Sequence, residues 1–404
     1  MRARLCYAAP GHSLLSTAGS TRNVLAAAAA LAEWADVTVA FREFGELPGP
    51  SAYRVIAIEP SGSPDMIARD DVAARGLNPL HHWRYLKTLR RFASDSAGHY
   101  DLVLEKGWRL SGYLARAFAR CGTPAVLIEN DARCWNEPLR DLRSWARYAA
   151  HLAAQGVAGR CSRSLPLVIA ETEDLKAALI EARQLDAEQV QVVTLGVDHD
   201  LFRPRPWSDA RAELGLSGDA LIMLYVGGMD QYHDLSPLLE ALTQVAPAHV
   251  EVHLVGDGAY CARYRDMAMA SKVPVRFHGQ VGHAAVPAFI AAADVCLAPY
   301  QTRGFHHGQV YFSTLKIPEY LACERPVISV PSGNILTLIE DGVSGFLFPN
   351  ELAAWRNFLA TMPGRSRFAA MGRAAASSVA SLSWSATAQR YLQLCSAVIG
   401  RKPL

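Results

Sequence analysis

The stretch YFSTLKIPEYLACERPVISV, residues 311–330, reads as a loop, a helix and a buried strand in succession. Ser313 and Thr314 are residue types that cap helices, here one running from Leu315 to about Cys323. Pro318 falls in its first turn, where a missing N–H does no harm. Glu319 follows one turn in, Pro326 ends the helix, and Val327, Ile328 and Val330 form a short apolar strand. A helix start beside Lys316 gathers free N–H groups, the positive end of the dipole and an ammonium, the ingredients of an anion site. Glu319 stands within reach of hydroxyls attached to such an anion. The same letters also describe an ordinary amphipathic helix with a solvated lysine and glutamate, so the flanking chain decides between the two.

Upstream, four apolar runs each end in glycine or a small polar cluster, where backbone can approach a ligand closely. Residues 221–226 lead into Gly227-Gly228, 252–255 into Gly256-Asp257-Gly258, and 275–278 into Gly279-Gln280-Val281. Residues 295–298 precede the loop RGFHHG, residues 303–308, which brings Arg303, His306 and His307 to the same rim. Residues 368–398 are helical by period, with Trp384 near a break.

The first half alternates in the same way. Residues 5–9 form a strand ending at Pro10-Gly11, and Gly19-Ser20-Thr21 precedes a helix from about Arg22 to Trp34. Strands follow at 37–41, 55–59, 102–105, 125–129 and 167–170, with helical patterns at 83–93, 110–120, 139–153 and 172–182. Such alternation predicts an α/β chain with mostly parallel, doubly wound sheets whose ligands sit at the carboxyl ends of the strands. No G-x-G-x-x-G is present, so a dinucleotide fingerprint is not supported. His12, Gly19 and Ser20, then Glu105-Lys106, then Glu129, Asn130 and Asp131 gather at strand ends of one domain, either as a pocket lining or as strand caps and turns.

Three blocks, DVCLAPY (294–300), STLKIPEYLACERPVIS (313–329) and IEDGVSGFLFPN (339–350), resemble the donor half of the retaining glycosyltransferases of family 4, the group 1 glycosyl transferases. Their order and spacing match. The segment TLGVD (194–198), followed by Phe202, Pro204 and Pro206, is similar to that family's interdomain connector. The resemblance implies a GT-B fold, two Rossmann-like domains facing across a cleft that hinge closure dries. Residues 1–198 would bind the acceptor and 199–383 the nucleotide-sugar donor, with a last helix at about 384–404 returning to the first domain. It implies catalytic roles for Lys316 and Glu319. It places Gly227 and Gly228 at the diphosphate, and Gly256, Asp257, Gly258, Gln280 and Val281 near the nucleobase and ribose. His233, Arg303, Tyr311, Ser313, Thr314 and Leu315 complete the donor side. The acceptor side would comprise His12, Gly19, Ser20, Glu105, Glu129 and Asn130.

The chain departs from the family pattern in places. Gly228 and His233 stand where an Arg and a Lys commonly grip the diphosphate, and Tyr311 replaces the first glutamate of a Glu-x7-Glu pair whose second member is Glu319. The loop at Asn130 lacks the family's frequent histidine and only loosely matches a Glu-x-Asn variant. Lys316 is then the principal remaining cation, with Arg303 next; His306 and His307 are partial ones, and His233 is one that titrates near its reference pKa of about 6.5.

The expectation is a metal-free glycosyltransferase, moving a sugar with retention from a nucleotide-sugar donor to an acceptor hydroxyl, in polysaccharide, glycolipid or natural-product glycoside synthesis. No cofactor is expected. Two other classes would use the same rim: a catalytically lapsed nucleotide-sugar-binding or regulatory protein, and a nucleotide-sugar epimerase or phosphorylase. Asp198-His199-Asp200 imitates an Asp-x-Asp metal motif, but its place in a connector reads as a turn.

Composition narrows the setting. The chain has 404 residues, 50% hydrophobic and 19% charged, room for two buried cores. A net charge of +2 does not suit a general polyanion binder. The eight cysteines occur without a Cys-x-x-Cys pair, as in a reducing cytoplasm. No signal peptide or membrane-spanning run is read from the sequence. Between residues 83 and 164, fourteen Lys or Arg stand against seven Asp or Glu. Arg140, Arg143 and Arg147 recur beside Trp145 and Tyr148, a pattern that suits either a solvated helix face or an interfacial helix touching anionic lipid on the cytoplasmic side. No nucleic-acid-binding module accompanies the charge.

Overall fold

The computed structural model describes residues 2–14, 19–43, 52–59, 79–133, 138–216, 218–303, 305 and 308–400. The chain divides into two compact units. The first contains Met1–Gly196, Tyr311–Ser313 and Trp384–Leu404, the second Val197–Val310 and Thr314–Ser383.

In the first unit the order is β1 (Arg4–Ser13), α1 (Gly19–Leu31), β2 (Asp36–Glu43), β3 (Arg54–Ala57), α2 (Pro79–Asp95), β4 (Leu102–Lys106), α3 (Tyr113–Arg120), β5 (Ala125–Glu129), α4 (Leu142–Ser162), β6 (Val168–Ala170), α5 (Glu173–Arg183) and β7 (Val190–Val192). The strands are parallel in the order β3-β2-β1-β4-β5-β6-β7. β4 and β5 are buried at every residue, as strands covered on both faces must be. The sheet reverses direction of growth between β1 and β4, which makes that crevice its switch point.

Local chemistry moves several boundaries from their sequence positions. β1 continues past Pro10-Gly11, so His12 lies within the strand. α1 opens at Gly19 and stops at Leu31, leaving Trp34 in the turn beyond it. Gly112, at φ 79°, takes the left-handed conformation before α3, so that helix begins at Tyr113 instead of Leu110. Asp141 accepts from the Ser144 amide while the Ser144 hydroxyl accepts from the Asp141 amide, and this reciprocal cap starts α4 at Leu142. Thr172 caps α5.

The second unit runs α6 (Trp207–Leu214), β8 (Leu221–Val226), α7 (Ser236–Gln244), β9 (Val250–Val255), α8 (Cys261–Ala268), β10 (Val275–Gly279), α9 (Val286–Ala292), β11 (Val295–Ala298), α10 (Lys316–Ala322), β12 (Val327–Ser329), α11 (Ile335–Leu338), β13 (Gly345–Leu347), α12 (Leu352–Ala360) and α13 (Arg365–Val379). Its parallel sheet has the order β10-β9-β8-β11-β12-β13, with the switch point between β8 and β11. Asp294 clasps the base of this sheet. It accepts from the Ile222 amide at 2.7 Å and from the guanidiniums of Arg211 and Arg365 at 2.8 Å each. The Trp207 ring receives the same two guanidiniums at 4.9 and 4.8 Å.

The last helix, α14 (Trp384–Ile399), belongs to the first unit. Its Ala388, Tyr391, Leu392 and Cys395 pack into the core that α1 enters through Val24, Ala27, Ala28 and Leu31. The alanines of α1 allow this close packing; a run of larger side chains would overfill it. At the unit boundary, Asp198 accepts from the amides of Asp200 and Leu201, both at 3.1 Å. The Asp-His-Asp triplet is therefore a turn held by its own backbone.

Candidate active site

The decisive cluster of the second unit lies at the β8/β11 switch point. β8 ends in Val226, and Gly227 follows with φ 146°, a conformation that L side chains rarely adopt. The Lys316 side chain, at the start of α10, reaches back to this turn. Its ammonium donates to the Tyr225 hydroxyl at 3.2 Å, and the Tyr225 hydroxyl in turn donates to the Gly228 carbonyl. A Cβ at Gly227 would come within 2.8 Å of the Lys316 Nζ, so glycine is what admits the ammonium. The rings of Tyr225 and Tyr300 lie 4.4 and 5.6 Å from Nζ and present their faces to the cation.

Tyr320, one turn into α10, fixes the helix to the same strand end. Its hydroxyl accepts from the Val226 amide at 2.8 Å and donates to the Val226 carbonyl at 3.1 Å. α10 has only seven residues, and Leu315 precedes it in helical conformation without a side-chain cap. Ser313 and Thr314 thus do not cap it as expected. Thr314 is buried against the Tyr300 hydroxyl, and Ser313 groups with the first unit. The anion-binding capacity of this corner therefore rests on Lys316 and the Gly227-Gly228 turn more than on a dipole.

The electrostatics differ from the expectation of a fixed surface cation. Lys316 is half-buried, and burial of its ammonium pulls its pKa down to about 7 against the opposing pull of Asp230 and Glu319. His233 is corrected more strongly. Burial and the Lys316 charge hold it down to about 4, although Asp230 opposes the shift. His233 Nδ1–H donates to Asp230 Oδ1 at 2.9 Å. Near neutral pH it is an uncharged hydrogen-bonding group, and it does not replace a missing lysine. Burial pushes the Asp230 carboxyl up, but the His233 hydrogen bond and charge outweigh it and leave the group below its usual range.

The neighbouring glycines serve the protein's own backbone. A Cβ on Gly256 would meet the Gly227 carbonyl oxygen at 2.0 Å, and one on Gly258 the Met229 oxygen at 2.4 Å. The loops after β8 and β9 pack backbone against backbone, tied by the Met229 amide to the Asp257 carbonyl at 3.0 Å. The Gly256 amide donates to Gly279 at 2.7 Å, which adds the end of β10 to the same rim. Asp257 and Gln280 are exposed there, and Val281 partly so. Arg303 is exposed on a loop whose amide bonds to Gln301 Oε1. His306 and His307 lie outside the described residues. Tyr311 groups with the first unit, where its hydroxyl donates to Asp131 Oδ1 at 2.7 Å and its carbonyl accepts from Thr172.

On the acceptor side, two candidates prove to be internal supports. Glu105 is fully buried and accepts from the Trp108 indole at 2.8 Å, the Gly112 amide at 3.0 Å and the Ala115 amide at 2.6 Å. It satisfies the open donors at the start of α3, and burial pushes its pKa up to about 8. Glu129 is paired with Arg183, both fully buried, and sits directly under Gly107. Lys106 is likewise interior and bonds to Glu171 at 2.5 Å, which also accepts from Asn23 at 3.2 Å. Gly19 and Ser20 open α1. His12 and Asn130 remain at the crevice, and burial together with Lys106 and Arg133 holds His12 down to about 3.

Sequence reasoning missed Tyr225, Tyr300, Tyr320 and Asp230. Each tyrosine reads as a core residue, and each is buried. The available signal was position: a tyrosine at a strand's end beside Gly-Gly places a polar tip that must find a partner.

Two doubly wound parallel sheets, the second with an ammonium and a glycine turn at its switch point, are the architecture of GT-B glycosyltransferases. The model of the family described as "Glycosyl transferases group 1" matches residues 220–361. The D-inositol 3-phosphate glycosyltransferase of Thermomonospora curvata is 30% identical over 331 residues, covering 76% of this chain and 73% of that protein. Among solved structures, the sucrose-phosphate synthase of Thermosynechococcus elongatus aligns with a TM-score of 0.74 at 20% identity, covering 99% of this chain and 100% of that one. Anabaena HepE, in complex with UDP, aligns with a TM-score of 0.69 at 19% identity, covering 98% and 100%. The chain belongs to the group 1 glycosyl transferases.

Proposed function

We propose that this glycosyltransferase transfers a sugar from a nucleotide-sugar donor to an acceptor hydroxyl, with retention at the anomeric carbon and without a metal. The observation that carries the reading is the Lys316 ammonium held against the Gly227-Gly228 turn through Tyr225. Anomeric transfer breaks the bond from the sugar carbon to the diphosphate oxygen, and negative charge grows on the departing oxygen. A cation already fixed in a partly dry site stabilises that charge without reorganising water. The acceptor oxygen then bonds to the same face of the carbon, and its proton passes to a phosphate oxygen of the leaving group. Glu319 positions the donor by accepting hydrogen bonds from hydroxyls. Retention and metal independence are supported by the family resemblance of the three sequence blocks. UDP and UDP-glucose complexes of HepE support a nucleotide-sugar donor class.

The test is release of free nucleoside diphosphate from a nucleotide-sugar panel, with and without hydroxyl acceptors and with and without chelator. Acceptor-dependent release that survives chelator, with an unchanged anomeric configuration in the product, is the expected result. Diphosphate release independent of acceptor would overturn the transferase reading. Loss in chelator restored by manganese would overturn the metal-free one.

A peripheral membrane contact is part of the proposal. Among the described residues no helix is long and apolar enough to cross a membrane. α4, however, exposes Leu142 (86%), Trp145 (55%) and Leu152 (51%) along one stripe, the reverse of an ordinary surface helix. Arg143 and Arg147 are exposed on the opposite side of the same helix. An apolar stripe with arginines on the polar side of the same helix suits an anionic lipid surface.

A further inference from the structure

The edge of the second sheet carries a connected set of titratable side chains that the transfer chemistry does not use. β10 lies at that edge, beside β9. Along β9, Val250, Val252 and Leu254 enter the core, so the period of two turns Glu251 and His253 to the opposite face. Val275 and Phe277 of β10 pack on the same core, and Arg276 pairs in register with His253. Regular pairing stops at His278. Phe277 stands opposite Leu254 and Gly279 opposite Val255, which makes His278 an extra residue in the ladder. An extra residue of this kind re-aims its side chain.

The side chain so re-aimed meets His253. His278 Nε2 and His253 Nδ1 stand 3.2 Å apart, with ring centroids 5.0 Å apart. The other nitrogen of His253, Nε2, lies 3.2 Å from Glu251 Oε2. That carboxylate is fixed in turn by Arg276, whose Nε and Nη2 donate to it at 2.7 and 3.3 Å. A carboxylate facing Nε2 selects the tautomer with its proton there, which leaves the Nδ1 lone pair of His253 aimed at His278. From α9, Phe289 holds the His278 ring edge-on at 4.9 Å. His253 is buried and His278 half-buried. Burial holds both imidazoles below their ordinary value, so near neutral pH both are uncharged.

Two imidazole nitrogens on one tetrahedral ion, with bonds of about 2.0–2.1 Å, stand about 3.3 Å apart. The observed 3.2 Å is close to that spacing. We propose that His253 and His278 form a binding site for a divalent transition ion of the zinc, nickel or copper class, held by His253 Nδ1 and His278 Nε2 with Glu251 as the carboxylate behind His253. Imidazole suits these ions, whereas magnesium and calcium prefer oxygen. Among the described residues no group of three His, Cys, Asp or Glu side chains is placed to hold a metal, so water fills the remaining positions. The metal replaces the proton that His278 Nε2 directs at His253. That proton passes to His278 Nδ1, which keeps the ring neutral. Bound there, the ion clamps the edge strand to β9 directly before the Gly256-Asp257-Gly258 and Gly279-Gln280-Val281 turns. It takes no part in the transfer step, and the inference stands independently of the transfer reading.

The test strips the full chain with chelator, dialyses it, and titrates it with zinc, nickel, copper(II) and magnesium by calorimetry, with thermal melts on the same samples. Zinc and nickel should bind and raise the melting temperature, and magnesium should do neither. His278→Gln, at a half-buried position, should remove one equivalent of zinc together with the rise in melting temperature. Glu251→Gln should keep the site but weaken it by about tenfold to a hundredfold, as loss of an outer carboxylate does. Bound copper(II) should show coupling to two imidazole nitrogens in its paramagnetic resonance spectrum, a signature lost in His278→Gln. His253→Gln should match His278→Gln; should it fail to fold, His278→Gln and Glu251→Gln carry the test. Absence of zinc and nickel binding, or an equivalent unchanged in His278→Gln, would overturn the site. An equivalent lost instead when His306→Ala and His307→Ala are combined would place the metal elsewhere and overturn it equally.

Discussion

The Tyr225 hydroxyl stands between the Lys316 ammonium, from which it accepts at 3.2 Å, and the Gly228 carbonyl, to which it donates. One phenol thereby joins the catalytic candidate of α10 to the glycine turn after β8. Tyr225→Phe keeps the ring against Lys316 and removes only this link. A net hydrogen bond is worth about 0.5–1.5 kcal/mol, so nucleoside diphosphate affinity should fall roughly threefold to tenfold with little change in melting temperature. Unchanged affinity in calorimetry would show that the link does not position the ammonium.

The pH dependence of diphosphate binding should belong to Lys316. Burial holds the free lysine near 7, well below its unfolded value of about 10.5. A bound anion favours the ammonium, so binding takes up a proton above pH 7. Affinity should be flat below about pH 7 and fall as pH rises through it. Lys316→Met should abolish the slope, whereas His233→Ala should retain it, because His233 does not charge until about pH 4. The unfolded chain also binds more protons than the folded one between pH 7 and 10.5, so ligand-free stability rises across that window. Lys316→Met should therefore melt higher than wild type at pH 7 while losing activity. A lower melting point would argue against an enclosed, destabilising ammonium.

Glu319→Gln should lower turnover by at least about tenfold and leave the fold intact. A charge-assisted hydrogen bond to a donor hydroxyl contributes about 1.5–3 kcal/mol. Steady-state kinetics beside a thermal melt decide the matter, and wild-type kinetics in the variant would remove Glu319 from the site.

Glu129 and Arg183 should behave as structural residues. They are both fully buried and paired, and removing one partner strands the other charge, at a cost of about 3–5 kcal/mol. Glu129→Ala should accordingly lower the melting temperature strongly while the surviving folded fraction retains its nucleoside diphosphate affinity. A variant with normal stability and lost acceptor turnover would return Glu129 to the acceptor pocket.

The α/β alternation and the three donor blocks were legible because period and glycine position are local properties. Gly227 and Lys316 could be named from spacing and resemblance, and the structure brings them together. Their protonation was not legible, because the shift of Lys316 depends on burial beneath Tyr225 and Tyr300, residues far apart in the chain. The acceptor side was read less well for a related reason. Glu105 and Glu129 end buried strands, and sequence does not distinguish a carboxylate aimed at solvent from one aimed at a helix start or a buried arginine. Gly256 and Gly258 taught the same lesson in reverse: the close approach their type announces is made by the backbone at Gly227 and Met229.

The exposed stripe of α4 yields the last prediction. Leu142, Trp145 and Leu152 lie on solvent, with Arg143 and Arg147 exposed on the other side of the helix, and none is needed to fill the core. Insertion of the apolar residues at the headgroup boundary and attraction of the arginines to anionic lipid should add together. Wild-type protein should co-sediment with vesicles containing phosphatidylglycerol more than with phosphatidylcholine alone. Salt should release it, since screening shortens to about 3 Å at 1 M. Trp145→Ser with Leu152→Ser should weaken binding at every salt concentration, because the apolar contribution is not screened. Arg143→Gln with Arg147→Gln should weaken it chiefly at low salt and flatten the salt dependence. Both double variants should keep the wild-type melting temperature, as the side chains are exposed. Equal binding to neutral and anionic vesicles, or none to either, would leave α4 a solvated helix and point to a soluble acceptor.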